Sequence, residues 1–380
     1  MKATQHAKLA LLAGVGFVSL GLSTPAAAFV LPATGYVQYG DGLSYSLPLL
    51  AYNYDQLYGG GVGPGNPYYV ASTPGAIQDL VVIATGASGS PVNTNFAGMD
   101  NAYATPSGVS GSNFFSTGTV TDPGQVSAFF GDKANTWDST VASLNTFLGG
   151  EAPVFFFNNN QLNGSGEQSL AIWAQITLTD PTSNIIGTYD FTNRNSAFAV
   201  VSEGGSGGVY NGDPTSYTSG SNAPTGSTNA NTDYVLSGGA LCLTSLGLLK
   251  SCGGSTLVPG ESIIETFNHN LGANQAAYAV IFPELNAQLA LLSGDLTQYT
   301  MHIDLRMGCD PTLFGSDANA AICTGSDNGY GKNLNNGYEQ LFLGTVSPTV
   351  VNVPEPATVA LLGMGLLGLG FSRRRRLTVR

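Results

Sequence analysis

Between Cys309 and Asn328 the chain places Asp310, Asp317, Asn319, Asp327 and Asn328 with no basic residue among them. Hard oxygen donors on a loop that a disulfide would hold suit Ca2+, which prefers carboxylate, carbonyl and amide oxygens. The EF-hand pattern fails: counted from Asp317, the fifth position is Ala321 and the sixth is Ile322 rather than glycine. The metal set read from this stretch is therefore Asp310, Asp317, Asn319 and Asp327, for calcium. A solvated acidic loop without an ion has the same composition, so both readings stand.

Other constellations are weaker. His302, Asp304 and Arg306 alternate along "YTMHIDLRM" and would share one strand face, where a His–Asp pair beside Arg is able to orient a base. Alternating polar residues on a solvent face look the same. Glu261 and Glu265 in "ESIIE" have the residue type of paired glycosidase carboxylates, but pairs this close in sequence are ordinarily solvated. "GGSGG", Gly204 to Gly208, fits G-x-S-x-G around Ser206, yet "VYNGDP" follows where a nucleophile elbow needs a helix. None of these supports a catalytic assignment. The stretch from Tyr36 to Tyr69 holds 8 of the 17 tyrosines, mixed with Asn, Asp and Gln. Rings beside amide and carboxylate groups are able to stack on sugar faces, although tyrosine is also a good strand residue.

The elements that must position these groups are mainly strands. "YTMHIDLRM" puts Tyr299, Met301, Ile303, Leu305 and Met307 on one face, as a half-buried strand does. "LAIWAQITLTDPTSNIIGTYDF" reads as two strands joined by a turn at Asp180 to Asn184. "PVFFFNNN", "AAYAVIFP" and "EQLFLGTV" add further strands. Helices are few: one over "DKANTWDSTVASLNTFLGG", with Trp137, Val141, Leu144 and Leu148 at helical spacing, and one over "PELNAQLALLSG" behind Pro283. The expected fold class is mainly β, an antiparallel β-sandwich with one or two short helices. Residues 29–350 are read as one secreted domain, and the Gly/Ser/Thr/Asn-rich stretch 202–233 as a long surface loop within it.

Four cysteines allow three pairings. Cys242–Cys252 and Cys309–Cys323 each close a short loop and are the expected disulfides, each contributing roughly 3 kcal/mol by loop entropy. The spacings are too wide for a C-x-x-C zinc site.

Both ends read as addresses. Lys2, His6 and Lys8 precede an apolar run from Leu9 to Leu22, followed by "STPAAA", so residues 1–28 read as a signal peptide and Phe29 as the start of the exported chain. No cysteine sits at that junction to carry a lipid. Residues 29–353 hold five basic groups against 23 acidic ones, a net of −18. Such a chain repels nucleic acid and anionic membrane surfaces and favours cations or neutral partners.

Near the other end, "VPEPATVALLGMGLLGLGFSRRRR" places a Pro-Glu-Pro triplet, an apolar run at 357–371 and Arg373, Arg374, Arg375 and Arg376 in that order. This arrangement resembles the PEP-CTERM sorting signal. The resemblance implies that Pro354, Glu355 and Pro356 form the motif read by an exosortase. It also implies that a transmembrane sorting helix holds the chain transiently in the inner membrane, with the four arginines as its stop-transfer signal. Residues 351–380 are thus a sorting segment, and the setting implied is the envelope of an exopolysaccharide-producing Gram-negative bacterium. Two decoys drop out: "LPATG" at 31–35 lacks the apolar run and basic tail of a sortase site, and "GMGLLG" at 363–368 has no strand before it.

The function expected is that of an exported, exosortase-processed cell-surface or biofilm-matrix protein without catalytic activity. An exopolysaccharide-binding module is the alternative, and a secreted hydrolase the third class. No cofactor beyond Ca2+ is expected.

Overall fold

"PVFFF" has no polar residue to turn toward water on either side, and it lies near the middle of a sheet that is covered on both faces. The structure is a computed structural model. It describes residues 29–33, 35–87, 89, 91–106, 114–160, 170–191, 209–211, 217–218, 235–237, 240–247, 249–252, 257–308, 334 and 337–346.

In chain order the elements are β1 (Tyr36–Tyr39), β2 (Gly42–Ser46), α1 (Leu47–Tyr58), α2 (Pro74–Ile77), β3 (Val81–Thr85), β4 (Tyr103–Ala104), β5 (Phe114–Ser116), β6 (Trp137–Thr140) and α3 (Val141–Leu148). Then come β7 (Ala152–Asn158), β8 (Leu170–Thr179), β9 (Ile185–Phe191), β10 (Val209–Asn211), β11 (Tyr217–Thr218), β12 (Val235–Ser237), β13 (Leu241–Thr244) and β14 (Leu249–Ser251). The last are β15 (Ile263–Phe267), β16 (Tyr278–Ile281), α4 (Pro283–Leu291), β17 (Thr300–Gly308) and β18 (Gln340–Val346). The chain is mainly β.

One sheet runs β10-β1-β2-β16-β7-β18-β3-β4. A second runs β12-β8-β17-β5, with β6 also paired to β17 and β9 to β8. A small third sheet runs β11-β14-β13-β15 beside α1. The pairs are antiparallel except β3–β4 and β11–β14, which are parallel.

The two large sheets share one core. Val81, Ile83, Phe155, Phe157, Val280, Leu341 and Leu343 of the first pack with Ile176, Leu178, Trp137, Met301, Ile303, Leu305 and Met307 of the second. Alternation along β7 sends Phe156 and Val154 the other way, onto Leu47 and Leu50 of α1 and Ile77 of α2. Phe29 sets its ring edge-on to Phe156 at 5.2 Å, and its amide donates to the Thr345 carbonyl. Register between β7 and β18 is pinned at a buried polar pair: the Gln340 amide donates to Asn158 Oδ1 at 2.8 Å, and Asn158 Nδ2 donates to Gln340 Oε1 at 2.6 Å.

Several expected elements differ in detail. Trp137 stands in β6, not in a helix: residues 137–140 pair with β17, and Thr140 then caps α3 by accepting from the Ser143 amide at 3.2 Å. Its spacing to Val141 matches a helix only because a strand ends where a helix begins. The helix α1 was not expected. Ser46 caps it and Pro48 occupies its first turn, within the tyrosine-rich stretch. Strand β17 is buried on its polar face as well at Thr300 and His302, because the loop between β5 and β6 lies across that end. Gly131 makes this approach possible: its φ is +84°, and a Cβ there would meet Thr300 Oγ1 at 2.3 Å.

Cys242–Cys252 is formed, with Cα atoms 5.1 Å apart, and ties β13 to the residue after β14. Cys309–Cys323 lies outside the described residues, as do the signal segment 1–28 and the sorting segment 351–380. Of the stretch 202–233, only β10 and β11 are described. Among the described residues no helix is long and apolar enough to cross a membrane.

Truncating Phe156, which packs in the layer opposite the shared core, leaves a cavity in a close-packed layer. Phe156→Ala is expected to lower unfolding stability by about 3–5 kcal/mol, read from urea denaturation.

Candidate functional site

Four aspartates converge where the loops around β6 meet the second sheet: Asp100, Asp122, Asp132 and Asp138. The segment from Asn95 to Asn101 is fixed by its own amides. Asn95 Nδ2 donates to the Val82 and Asp100 carbonyls, both at 2.7 Å, and its Oδ1 accepts from the Val82 amide at 3.0 Å. Gly98, at φ +81°, lets this segment press onto the start of α3; its carbonyl accepts from the Thr140 amide, and a Cβ would meet Ser143 Oγ at 2.2 Å. Asp100 then exchanges bonds with β6: its amide donates to the Asp138 carbonyl at 2.8 Å, and its Oδ2 accepts from the Asp138 amide at 2.7 Å. The Asn101 amide donates to the Gly124 carbonyl, fastening the long loop that carries Asp122 and Asp132.

Asp100, Asp132 and Asp138 each offer a carboxylate oxygen within 4.8 Å of the others. Asp100 and Asp138 are fully buried, whereas Asp132 opens to solvent. Asp138 is well served by donors. Its Oδ1 accepts from Thr136 Oγ1 at 2.6 Å and His302 Nδ1 at 2.9 Å, and its Oδ2 accepts from the Lys133 amide. Asp132 Oδ2 accepts from Gln125 Nε2 at 2.9 Å. Asp100 Oδ1 meets no donor among the described residues, and the Asp132 carboxyl lies close enough to share a hydrogen bond with the Asp100 carboxyl. Burial, and then the Asp138 carboxylate, push the Asp100 carboxyl up to about 9. The Asp132 carboxyl is raised as well, by partial desolvation and then by Asp138 and Asp122. Among the described residues no lysine or arginine forms an ion pair with any of the three.

His302 is therefore part of a buried pair, but not the pair expected. Its Nδ1 faces Asp138 and its Nε2 faces Thr179 Oγ1 at 2.9 Å. Asp304 instead accepts from Arg306 Nη2 at 2.8 Å and Thr117 Oγ1 at 3.1 Å, and the Arg306 guanidinium lies 4.9 Å from the Trp173 ring centre. Residues at i and i+2 share a face, yet the lateral neighbour across the ladder, Asp138, is closer to the imidazole.

The remaining expected groups scatter. Asp310, Asp317, Asn319, Asp327, Asn328 and Ser206 lie outside the described residues. Glu261 is buried and accepts from the Val258 amide at 2.8 Å, while exposed Glu265 accepts from the Thr266 amide at 3.1 Å. The tyrosines divide. Tyr39 and Tyr45 enter the core, while Tyr54, Tyr58 and Tyr68 gather at the end of α1, with ring centres 4.8 Å and 6.2 Å from that of Tyr54. Tyr58 is 71% exposed there. A contact without a sequence signal joins Ser46 Oγ to His269 Nε2 at 2.7 Å, and the same hydroxyl accepts from the Leu49 amide as the cap of α1.

The buried pair makes a differential prediction. His302→Ala removes a charge-assisted bond from Asp138 and opens space, so it is expected to cost about 3 kcal/mol in denaturant unfolding. Asp304→Asn, in the partly exposed pair with Arg306, is expected to cost less than about 1 kcal/mol. A reversed order would show that the strand-face pairing is the important one.

A profile for a domain of unknown function, DUF8239, matches residues 24–306, and the PEP-CTERM protein-sorting motif matches residues 352–376. No curated protein and no solved structure matches the chain. The domain match ends within β17, although β18 lies centrally in the first sheet between β7 and β3. The sorting motif marks a substrate of an exosortase, exported across the inner membrane to the cell surface or extracellular space. With well over half its length matched, the chain belongs to the DUF8239 domain family and carries a PEP-CTERM sorting motif behind that domain.

Proposed function

We propose that this chain is a non-catalytic component of the cell surface or biofilm matrix, placed there by exosortase processing. The observation that supports this most is the sorting motif at residues 352–376, behind a mainly β domain with a disulfide-closed hairpin. The net of −18 over residues 29–353 suits a neutral or cation-bridged matrix better than an anionic membrane. In an exosortase-containing host, the wild-type chain is expected to lose its tail and leave the inner membrane. A variant with Pro354→Ala, Glu355→Ala and Pro356→Ala is expected to stay uncleaved in the membrane fraction. Equal release of both chains would overturn the sorting route.

The aromatic ledge formed by Tyr54, Tyr58 and Tyr68 favours a second reading, exopolysaccharide binding. Asn66 braces this ledge, donating from Nδ2 to the Ala51 and Gly61 carbonyls at 2.9 Å and accepting from the Tyr68 amide. Tyr58 is exposed while Tyr54 and Tyr68 are half-buried behind it, and a ring already packed by its neighbours loses little entropy when a sugar face stacks on it. Tyr54→Ala with Tyr58→Ala is expected to weaken binding to the host's exopolysaccharide about tenfold, measured by pull-down titration. Unchanged binding would remove the ledge from consideration, and release of reducing ends from the polysaccharide would overturn the non-catalytic reading.

A further inference from the structure

We propose that Asp100, Asp132 and Asp138 hold a single calcium ion that fastens two loops to β6. The geometry fits. Two oxygens each about 2.4 Å from one ion are at most about 4.8 Å apart, and one oxygen from each of the three carboxylates meets that spacing. Asp100 Oδ1, on a fully buried side chain within the cluster, meets no donor among the described residues and has the Asp132 carboxyl beside it. A buried carboxylate oxygen that meets no donor has to be met by a proton or by a cation, and the ion takes the place of that proton.

The donor set selects the kind of ion. All the ligand atoms are carboxylate oxygens, and the nearby imidazole is turned through Nδ1 to Asp138. Hard oxygen donors suit Ca2+ or Mg2+ rather than zinc, and a ligating carboxylate braced by histidine and backbone donors is the usual outer arrangement of such a site. Exposed Asp132 leaves one side open, so waters are able to complete a coordination number of roughly six to eight. Mg2+ demands a tighter octahedron than three carboxylates on separate segments supply, which favours Ca2+. The ion would join Asp100 in the 95–101 segment, Asp132 in the loop across β17, and Asp138 in β6 itself. The assignment rests on this geometry and does not depend on the sorting route.

The test uses the purified full chain, melted with excess EGTA, with Ca2+ at a few millimolar, and with Mg2+ at the same concentration. Calcium is expected to raise Tm by about 3 °C, with a Kd of about 10⁻⁴–10⁻³ M by calorimetry. Asp132→Asn, at an exposed position, is expected to weaken binding at least tenfold. Asp100→Asn is expected to abolish it while leaving the fold intact in EGTA, because a carboxyl pushed up to about 9 is already neutral at pH 7 and the amide still accepts from the Asp138 amide. No calcium shift in the wild type would overturn the site. A shift kept in both variants would place the ion elsewhere and overturn it equally. An equal Mg2+ shift would overturn the choice of calcium.

Discussion

Phe155, Phe156 and Phe157 point alternately to opposite faces of one sheet, and neither face tolerates water. The sheet must be covered twice, and the rest of the architecture answers that demand. The second sheet with α3 and α4 covers one face; α1, α2 and the segment at Phe29 and Leu31 cover the other. Burying a phenylalanine side chain stabilises by roughly 1.5–3 kcal/mol, so three in succession on one central strand outweigh any single polar contact in the domain. The second sheet is then free to present its outer face to loops rather than to more sheet. That face is where Thr300, His302, Asp304 and Arg306 emerge.

Polar groups on that outer face are buried by loops, and loops need their amides and carbonyls satisfied. The chain meets this with short polar side chains, Asn95, Asn101 and Thr136, which bond backbone or carboxylate at close range. Carboxylates are harder to satisfy in a domain with only five lysines and arginines between residues 29 and 353. Asp138 is met by a hydroxyl, an imidazole and an amide; Asp100 is met by one amide. The imbalance follows from composition: in a chain this poor in basic residues, no Lys or Arg among the described residues pairs with Asp100.

Strands were legible wherever a buried or alternating run was long, as at "PVFFFN" and "YTMHIDLRM", because period and length both point the same way. The turn at Asp180 to Asn184 was legible too: Asp180 Oδ1 accepts from the Thr182 and Asn184 amides, which is why Asp opens such turns. The helix at 47–58 is not announced by its tyrosines, which are better strand residues than helix residues; its start signal is Ser46 followed by Pro48. The aspartate cluster was hidden by distance along the chain. Asp100 and Asp138 are neighbours only because Met99 bridges to Ser139 of β6 and Asp100 bonds with Asp138 beside it, and no spacing rule reports a loop closure. What the sequence did carry was indirect: Asn95, Gly98, Asp100 and Asn101 crowd one short segment, a density that signals a backbone held by side chains.

Export sets the conditions under which such a domain must hold together. Outside the cytoplasm a thiol pair oxidises, and Cys242–Cys252 closes a ten-residue separation that contributes about 3 kcal/mol by restricting the unfolded chain. A carboxylate cluster acts at a different level, since an ion bound only by the folded state stabilises it by mass action rather than by chain entropy. The two devices secure different parts: the disulfide holds the small third sheet beside α1, and the aspartates hold the loops over β17. Both parts lie outside the shared core of the two large sheets, where hydrophobic burial contributes least and a local cross-link therefore contributes most.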